Sequence, residues 1–253
     1  MLYPIKFKPR IKERIWGGST ILKKRSKAAT RLPKDKPYGE SWDLSSVKGD
    51  ISVVSNGFLK GNNLSEIIEV YMGELVGESL FERYGLEFPL LIKYLDCNDK
   101  LSVQVHPDDI LAEERHNSFG KTEAWYVVDC KEGAAIYLGF KDLNLTREEY
   151  IAAVAESRLE ELLNKVEVKP GDTFFIPAGT VHALAKGLNV IEIQQTSDVT
   201  YRLYDWNRVD ENGNSRELHT ALAVDAIDFS RDGLSCHMKY QTEQNQAVKL
   251  VDC

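Results

Sequence analysis

The feature that most constrains this chain is a series of short segments in which apolar and polar residues alternate. The clearest are FPLLIKYLDC, LSVQVH, TEAWYVVDC, AAIYLGF, DTFFIPAG, NVIEIQQTS and TYRLYDW, most of them bounded by Gly, Pro, Asn or Asp. A period of two residues places alternate side chains on one face of a β-strand. Many short strands separated by turn residues predict a mainly β protein, built as a barrel or a double-sheet jelly roll.

Two helical patterns interrupt the predicted strands. One covers about residues 64–81 and the other about residues 146–166, where Thr146 and Glu149 have the spacing of a capping box. A weaker helical pattern, LHTALAVDAIDF, follows residue 217. No linker or internal repeat is visible in the 253 residues, a length that suits one large domain or two small ones. We expect a single domain over residues 1–253, with the helices added around the barrel.

The charge balance argues against a polyanionic partner. The chain has 32 Lys and Arg against 39 Asp and Glu, a formal net charge of −7, so its overall field repels nucleic acid. A local cluster of cations can still bind a single phosphate. The N-terminus has no apolar core of signal-peptide length, and no run reaches the roughly 18 apolar residues of a spanning helix. We therefore expect a cytoplasmic protein with no membrane partner.

The cysteines direct any metal site towards nitrogen and oxygen ligands. Cys97, Cys130, Cys236 and Cys253 form no C-x-x-C pair and show no dense spacing. This pattern argues against a disulfide framework and against a thiolate zinc site. A metal in this chain would be bound by imidazole, carboxylate or amide groups.

Four residues on three predicted strands form a candidate metal site. Gln104 and His106 lie two residues apart in LSVQVH and therefore share a strand face. Glu123 lies at the start of the strand EAWYVV, and His182 ends a turn with the spacing G-x5-P-x-G-x2-H that begins at Gly171. Two imidazoles, a carboxylate and an amide oxygen suit Zn, Fe, Mn or Ni.

Each of these residues also has an ordinary interpretation. A lone histidine in a barrel is more often hydrogen-bonded than metal-bound, and a lone glutamate is usually a surface carboxylate. The combination favours a metal site, because all three segments are strand-like and one contains a tightly specified Pro/Gly turn. The remaining histidines, His116, His219 and His237, share no such pattern, and we interpret them as structural or solvated.

Several of these motifs resemble those of a known family. GDTFFIPAGTVHAL resembles the second cupin motif. Together with FPLLIKYLDCNDKLSVQVHPDD, GKTEAWYVV and EIQQTSDVTYRLYDWNR, it resembles the type I mannose-6-phosphate isomerases (phosphomannose isomerases), particularly their short bacterial form, and WGGSTI and YGESWDLSS fit as well. The usual cupin motifs differ in three ways: Gln104 replaces the first histidine of H-x-H, sixteen residues separate His106 from Glu123, and Lys186 replaces an asparagine. The resemblance covers nearly the whole chain and implies a cupin-type jelly-roll barrel with added helices.

The resemblance also implies roles for individual residues. It implies one Zn²⁺ per chain, bound by Gln104, His106, Glu123 and His182. The implied catalytic residues are Lys121, Glu192 and Arg202, and the implied substrate-binding residues are Trp16, Lys93, Ser102, Asp198 and Arg208. Trp16 suits a core position equally well. Arg202 and Arg208 are six residues apart and share a face only if no bulge intervenes.

The implied reaction is the reversible conversion of mannose 6-phosphate into fructose 6-phosphate through a metal-assisted enediol. Sequence does not assign the proton carrier, for which Lys121 and Glu192 are the candidates. Two other classes stay open. A non-catalytic cupin that binds or senses a sugar phosphate would not need Lys121, Glu192 and Arg202 together, and a metal-dependent oxygenase usually has a His-rich ligand set. The partner expected is a small phosphosugar, and a homo-oligomer is compatible with the sequence.

The C-terminal segment HMKYQTEQNQAVKLVDC ends on an apolar, strand-like stretch. Members of the family generally continue into a further small β subdomain. We therefore expect this chain to be a shortened form or a fragment, with that subdomain missing or incomplete. Its last strand is expected to be an exposed edge or to be covered by another copy of the chain.

Overall fold

Strands dominate the part of the chain that the computed structural model describes, residues 2–209, 212–240 and 247–250. The strands are β1 (Arg10–Gly18), β2 (Tyr38–Leu44), β3 (Leu90–Cys97), β4 (Val103–Val105), β5 (Glu123–Cys130), β6 (Ala135–Phe140), β7 (Leu163–Glu167), β8 (Thr173–Ile176), β9 (His182–Leu184), β10 (Leu188–Gln195), β11 (Tyr201–Tyr204) and β12 (His237–Met238). The helices are α1 (Thr20–Lys24), α2 (Leu64–Val76), α3 (Glu78–Tyr84), α4 (Asp109–His116), α5 (Arg147–Ala155), α6 (Leu159–Leu162) and α7 (Thr220–Ala226), and a 3-10 helix covers Gly233–Cys236. The prediction of a mainly β protein with added helices is confirmed.

The strands form two antiparallel sheets that face each other. The larger sheet has the order β1-β2-β3-β10-β5-β8-β12, and the smaller has the order β11-β4-β9-β6-β7. Trp125, Phe174 and Val190 of the larger sheet lie in one core cluster with Ile136 and Leu184 of the smaller sheet. The main core therefore lies between the sheets, as in a double-sheet jelly roll.

A second core covers the outer face of the smaller sheet. Val105 and Ala183 pack there with Tyr150 of α5 and Ala223 of α7. Because side chains alternate along a strand, the neighbours of these apolar residues point the other way, into the space between the sheets. The helices on the outside thus fix which residues of β4 and β9 face the interior.

The predicted helix over residues 64–81 is present as α2 and α3, and α2 is itself kinked at Met72, which has a φ of 45°. α2 begins with a capping box in which Asn63 and Glu66 satisfy each other's backbone N–H groups. Gly77 separates α2 from α3 with a φ of 92°, a conformation that glycine adopts without a Cβ clash. α3 then extends to Tyr84, beyond the predicted end.

The predicted helix over residues 146–166 is only partly correct. Its capping box of Thr146 and Glu149 is confirmed at the start of α5. The helix ends at Ala155, because Ser157 adopts a φ of 59°, and the short α6 is followed directly by β7. The prediction of helix beyond Leu162 was wrong, since β7 pairs with β6 and buries Leu163 against it.

None of the helices in the described ranges is long and apolar enough to cross a membrane.

The C-terminal expectation falls largely outside the described residues. β12 pairs with β8 at the edge of the larger sheet. Residues 247–250 have no regular secondary structure, and residues 241–246 and 251–253 lie outside the described part of the chain. The expected exposed or copy-covered last strand therefore stays a prediction.

A matched pair of substitutions on α2 tests the packing of this helix. Ile68 is fully buried in a cluster with Val54 and Ile67, whereas Val70 on the same helix is 71% exposed. We expect Ile68→Ala to lower the free energy of unfolding by about 2–5 kcal/mol, because it leaves a cavity. Val70→Ala should change it by less than about 0.5 kcal/mol. Equal losses in urea unfolding would contradict this packing.

Candidate active site

Side chains from both sheets meet at one buried point between them. His106 directly follows β4, Glu123 opens β5 and His182 opens β9. One potential ligand atom from each residue lies within 4.8 Å of the other two, and each residue is only 1% exposed. We call these three residues the His–Glu–His cluster. The structure thus brings together three of the four residues that the sequence suggests as metal ligands.

Backbone carbonyls fix the orientation of both imidazole rings. His106 Nδ1 lies 3.1 Å from the carbonyl oxygen of Val199, and His182 Nδ1 lies 2.8 Å from that of Thr180. A carbonyl oxygen only accepts hydrogen bonds, so Nδ1 carries the hydrogen and Nε2 keeps its lone pair. The two Nε2 atoms lie 3.3 and 3.5 Å from the carboxylate oxygens of Glu123. Rings held in this way are typical of metal-binding histidines.

The Glu123 carboxylate is the least satisfied polar group in the cluster. Neither oxygen receives a hydrogen bond from the described residues, although both are buried. Burial alone would raise its pKa, but Lys121, whose Nζ lies 2.9 Å from Oε1, holds the Glu123 pKa well below the usual value. A buried anionic carboxylate without hydrogen bonds is costly. A bound cation would supply the missing interaction.

Gln104 supplies a fourth polar group to the cluster. Its side-chain amide lies beside His182, with 3.3 Å between Gln104 Nε2 and His182 Nε2. Rotating the amide by half a turn brings its oxygen to the same position. Two imidazole nitrogens, a carboxylate and an amide oxygen then face one point, a donor set that fits a borderline divalent cation such as Zn²⁺.

Both histidines are neutral at pH 7. Burial, and next Lys121, lower the pKa of His106 to about 3. Burial also lowers the pKa of His182. Neutral imidazole is the form that binds a metal, so these rings need lose no proton to do so.

A cavity of about 360 Å³ opens beside the cluster. Eight of the residues suggested from the sequence line it: Trp16, Lys93, Ser102, Gln104, Lys121, Glu192, Asp198 and Arg202. The sequence reasoning missed Arg14, Glu40, Trp42, Leu95, Leu101, Thr200 and Arg216, which also line it. Five cationic side chains and three carboxylates therefore surround the cavity. Lys121 and Arg216 are paired with two further carboxylates, Glu123 and Asp205. Arg202 is the lining cation without a carboxylate partner among the described contacts, and an uncompensated cation in a protein of net charge −7 suits an anionic ligand.

Glu192 is held from two sides at the cavity wall. Lys93 Nζ donates to Glu192 Oε1 at 2.8 Å, and the indole N–H of Trp125 donates to Oε2 at 3.0 Å. These contacts follow from strand register, because Glu192 lies opposite Lys93 on one side of β10 and opposite Trp125 on the other. Burial and the charge of Glu123 raise the pKa of Glu192, while Lys93 opposes that rise.

Among the residues suggested as catalytic or substrate-binding, Arg208 alone does not line the cavity in the described part of the chain. β11 ends at Tyr204, and Trp206 and Asn207 adopt left-handed backbone conformations with φ of 57° and 53°. The chain turns there, so the even spacing from Arg202 no longer puts both arginines on one strand face. Arg208 instead forms an ion pair with Asp205. In the described part of the chain, Arg208 does not line the cavity.

Three of the seven residues missed by the sequence reasoning lie on the first two strands. Arg14 forms a two-point ion pair with Glu40, and the indole of Trp42 donates to Glu40 Oε2 at 2.7 Å. The alternation in YGESWDL carried a usable signal, since Glu40 and Trp42 share a strand face. Nothing in the polar stretch around Arg216 indicated a site residue.

Fold and site together define a cupin-type jelly-roll protein with a buried candidate metal centre beside a charged cavity. The family model "Phosphomannose isomerase type I, catalytic domain" matches residues 5–137. The mannose-6-phosphate isomerase ManA of Bacillus subtilis is 42% identical over 256 residues, which cover 99% of this chain and 76% of that protein. A mannose-6-phosphate isomerase of Streptococcus mutans is 39% identical over 91% of this chain and 70% of that protein. The chain therefore belongs to the type I phosphomannose isomerase family.

Solved structures have the same fold. The mannose 6-phosphate isomerase of Bacillus subtilis superposes with a TM-score of 0.81 at 38% identity, covering 97% of this chain and 74% of that chain. A mutant phosphomannose isomerase from Salmonella typhimurium superposes with a TM-score of 0.73 at 17% identity, over 98% of this chain and 80% of that chain. At that low identity the second likeness shows the fold alone.

Removing the two imidazoles tests the metal centre. We expect the purified protein to retain about one equivalent of divalent metal after dialysis, and the His106→Ala/His182→Ala double variant to retain none, because two of four donors are lost. His237→Ala is the control, since His237 lies on β12 and outside the cluster. Elemental analysis measures the metal, and circular dichroism checks the fold. Full metal content in a folded double variant would place the metal elsewhere.

Proposed function

We propose that this chain interconverts mannose 6-phosphate and fructose 6-phosphate, using one Zn²⁺ held by Gln104, His106, Glu123 and His182. The observation that carries the proposal is the buried Glu123 carboxylate, which receives no hydrogen bond from the described residues, forms an ion pair with Lys121 and faces two imidazole Nε2 atoms beside the cavity. The relatives support the same reaction, because proteins about 40% identical in sequence to this chain are named mannose-6-phosphate isomerases.

The hard step is the removal of a proton from a carbon next to a carbonyl. A bound Zn²⁺ supplies Lewis acidity that stabilises the negative charge developing on the sugar oxygens. Arg202 lines the same cavity and carries a buried Nε–H with no partner among the described residues. This donor is available to stabilise negative charge on the substrate.

Lys121 and Glu192 are the candidates to carry the proton between C1 and C2. Lys121 lines the cavity, and its Nζ lies 2.9 Å from Glu123 and 3.3 Å from His106. Glu192 lines the cavity as well, and burial and the charge of Glu123 raise its pKa, which makes it a stronger base than an ordinary carboxylate. The contact of Lys121 with two cluster residues gives it a second role, since it balances the charge of Glu123.

The remaining walls suit a sugar. Trp16 and Trp42 present indole rings to the cavity, and Ser102 and Asp198 present polar groups. Aromatic faces pack against the C–H faces of a sugar ring, while hydroxyl and carboxylate groups pair with its hydroxyls. Lys93 does not need to touch the sugar, since its ammonium group is already bound to Glu192 and Gln194.

A coupled assay for fructose 6-phosphate tests the activity. We expect turnover of mannose 6-phosphate by the metal-loaded protein, and we expect Glu192→Gln or Lys121→Met, or both, to lower kcat by roughly 10²–10⁴-fold. Lys165→Met, on the exposed side of β7, is the control. Tight binding of mannose 6-phosphate without turnover would instead support the non-catalytic sugar-phosphate cupin. Full activity in both site variants would contradict the proposed proton carriers.

The pH dependence distinguishes the two proton carriers. Lys93 stabilises the ionised form of Glu192 and so opposes the rise of its pKa. In a Lys93→Met variant the Glu192 pKa should therefore rise, so a Glu192 base becomes ionised only at higher pH. If Glu192 carries the proton, the acid limb of the kcat/KM profile moves to higher pH, while Lys165→Met leaves it in place. An unmoved acid limb in an active Lys93→Met variant would assign the proton transfer to Lys121.

A further inference from the structure

One carboxylate joins two arginines at the edge of the cavity. Asp205 is 5% exposed and accepts hydrogen bonds from both Arg208 and Arg216. Arg216 contacts it at two points, with Nε donating to Oδ2 at 2.7 Å and Nη2 donating to Oδ1. Such a two-point pair fixes the plane of the guanidinium group. The two arginines thus share one partner, and their remaining donors decide what else each can bind.

Arg208 uses all three of its guanidinium nitrogens in contacts within the protein. Its Nη2 donates to the Asp205 carboxylate, its Nε donates to the Asp205 carbonyl oxygen, and its Nη1 donates to the carbonyl oxygen of Lys100. Its side chain is only 18% exposed. These contacts use three of the five N–H groups and hold Arg208 at the turn after β11, outside the cavity lining.

Arg216 differs from Arg208 in its position and in its hydrogen bonds. It lines the cavity, and its side chain is 33% exposed. Its Nη1 donates no hydrogen bond to the described residues, since only Nε and Nη2 are engaged by Asp205. The pair with Asp205 therefore leaves one edge of the guanidinium free while it holds the group in place.

Backbone contacts bring Arg216 next to Arg202. The amide of His219 donates to the Arg202 carbonyl oxygen at 2.7 Å, and Arg202 Nη1 donates to the carbonyl oxygen of Glu217 at 2.9 Å. The segment that carries Arg216 therefore runs along β11. Both guanidinium groups line the cavity, and within the described ranges neither Nη1 of Arg216 nor the buried Nε–H of Arg202 has a hydrogen-bond acceptor.

We propose that Arg216, with Arg202, binds the phosphate group of the substrate, and that Arg208 does not contact it. Arg202 and Arg216 each bring one guanidinium group to the cavity wall, and guanidinium groups suit the nearly two negative charges of a phosphate monoester. The inference deepens the proposed function and takes its phosphosugar ligand from it. The anion site itself rests on the free donors of Arg202 and Arg216.

Arg216→Gln and Arg208→Gln form a matched pair, because each removes one positive charge from the same Asp205 carboxylate. The probe is inorganic phosphate, titrated calorimetrically into the metal-loaded protein. We expect Arg216→Gln to weaken phosphate binding about tenfold or more, and Arg208→Gln to weaken it less than about threefold. Equal effects in the two variants, or a larger effect in Arg208→Gln, would overturn the assignment.

Thermal unfolding of each variant shows whether the fold is retained. If a glutamine variant unfolds, the lysine pair decides the question, because Arg216→Lys keeps the charge and loses the planar fork. Arg216→Lys is then expected to weaken phosphate binding, while Arg208→Lys leaves it unchanged. The reverse order would overturn the assignment.

A second measurement separates this inference from the proposed function. The ratio of kcat/KM for mannose 6-phosphate to that for mannose should fall about tenfold or more in Arg216→Gln and stay within about threefold of the parent in Arg208→Gln. A parent without isomerase activity would contradict the proposed function, and phosphate titration would still decide the role of Arg216. An active parent whose ratio is unchanged in Arg216→Gln would overturn the role of Arg216 alone.

Discussion

The arrangement of the site depends on one energetically unfavourable feature, an ionised carboxylate buried between two neutral imidazoles. Glu123 receives no hydrogen bond from the described residues, and only Lys121 places a positive charge beside it. Removing a charge from water costs several kcal/mol unless another charge or a metal compensates it. The surrounding sheets make that arrangement tolerable, because they hold His106 and His182 with Nε2 towards the carboxylate and leave a place for a cation.

Strand register also fixes the side chains that surround the His–Glu–His cluster. On β10, Glu192 lies between Lys93 of one neighbouring strand and Trp125 of the other. Trp125 also packs edge-on against His182, with ring centroids 5.3 Å apart. The candidate metal centre and the candidate proton carrier are therefore joined through one indole ring. The sheet register determines these cross-strand neighbours, because a shift of one strand by one residue would turn each of its side chains to the other face of the sheet.

The charges around the cavity are arranged in pairs that leave a positive excess. Arg14 is bound to Glu40 and Lys93 to Glu192, so these cations are balanced within the wall. Arg202 donates only to a carbonyl oxygen among the described side-chain contacts. A protein that is acidic as a whole thus presents uncompensated positive charge at one point, where the field of a cavity acts most strongly on an anion.

The sequence by itself determined the strand class, the period-two alternation and the residue types of the site. Because side chains alternate with a fixed period, Gln104 had to share a face with His106, and that much followed from local geometry. Glu123 and His182 joined that group because their segments are also strand-like and one contains a Pro/Gly turn, and the family resemblance implied the same four residues. Only the tertiary structure decided which segments meet. The turn after β11 moved Arg208 out of the cavity, and the backbone pairing of a polar segment with Arg202 brought Arg216 in, because contacts between distant segments depend on turns and packing that no local pattern encodes.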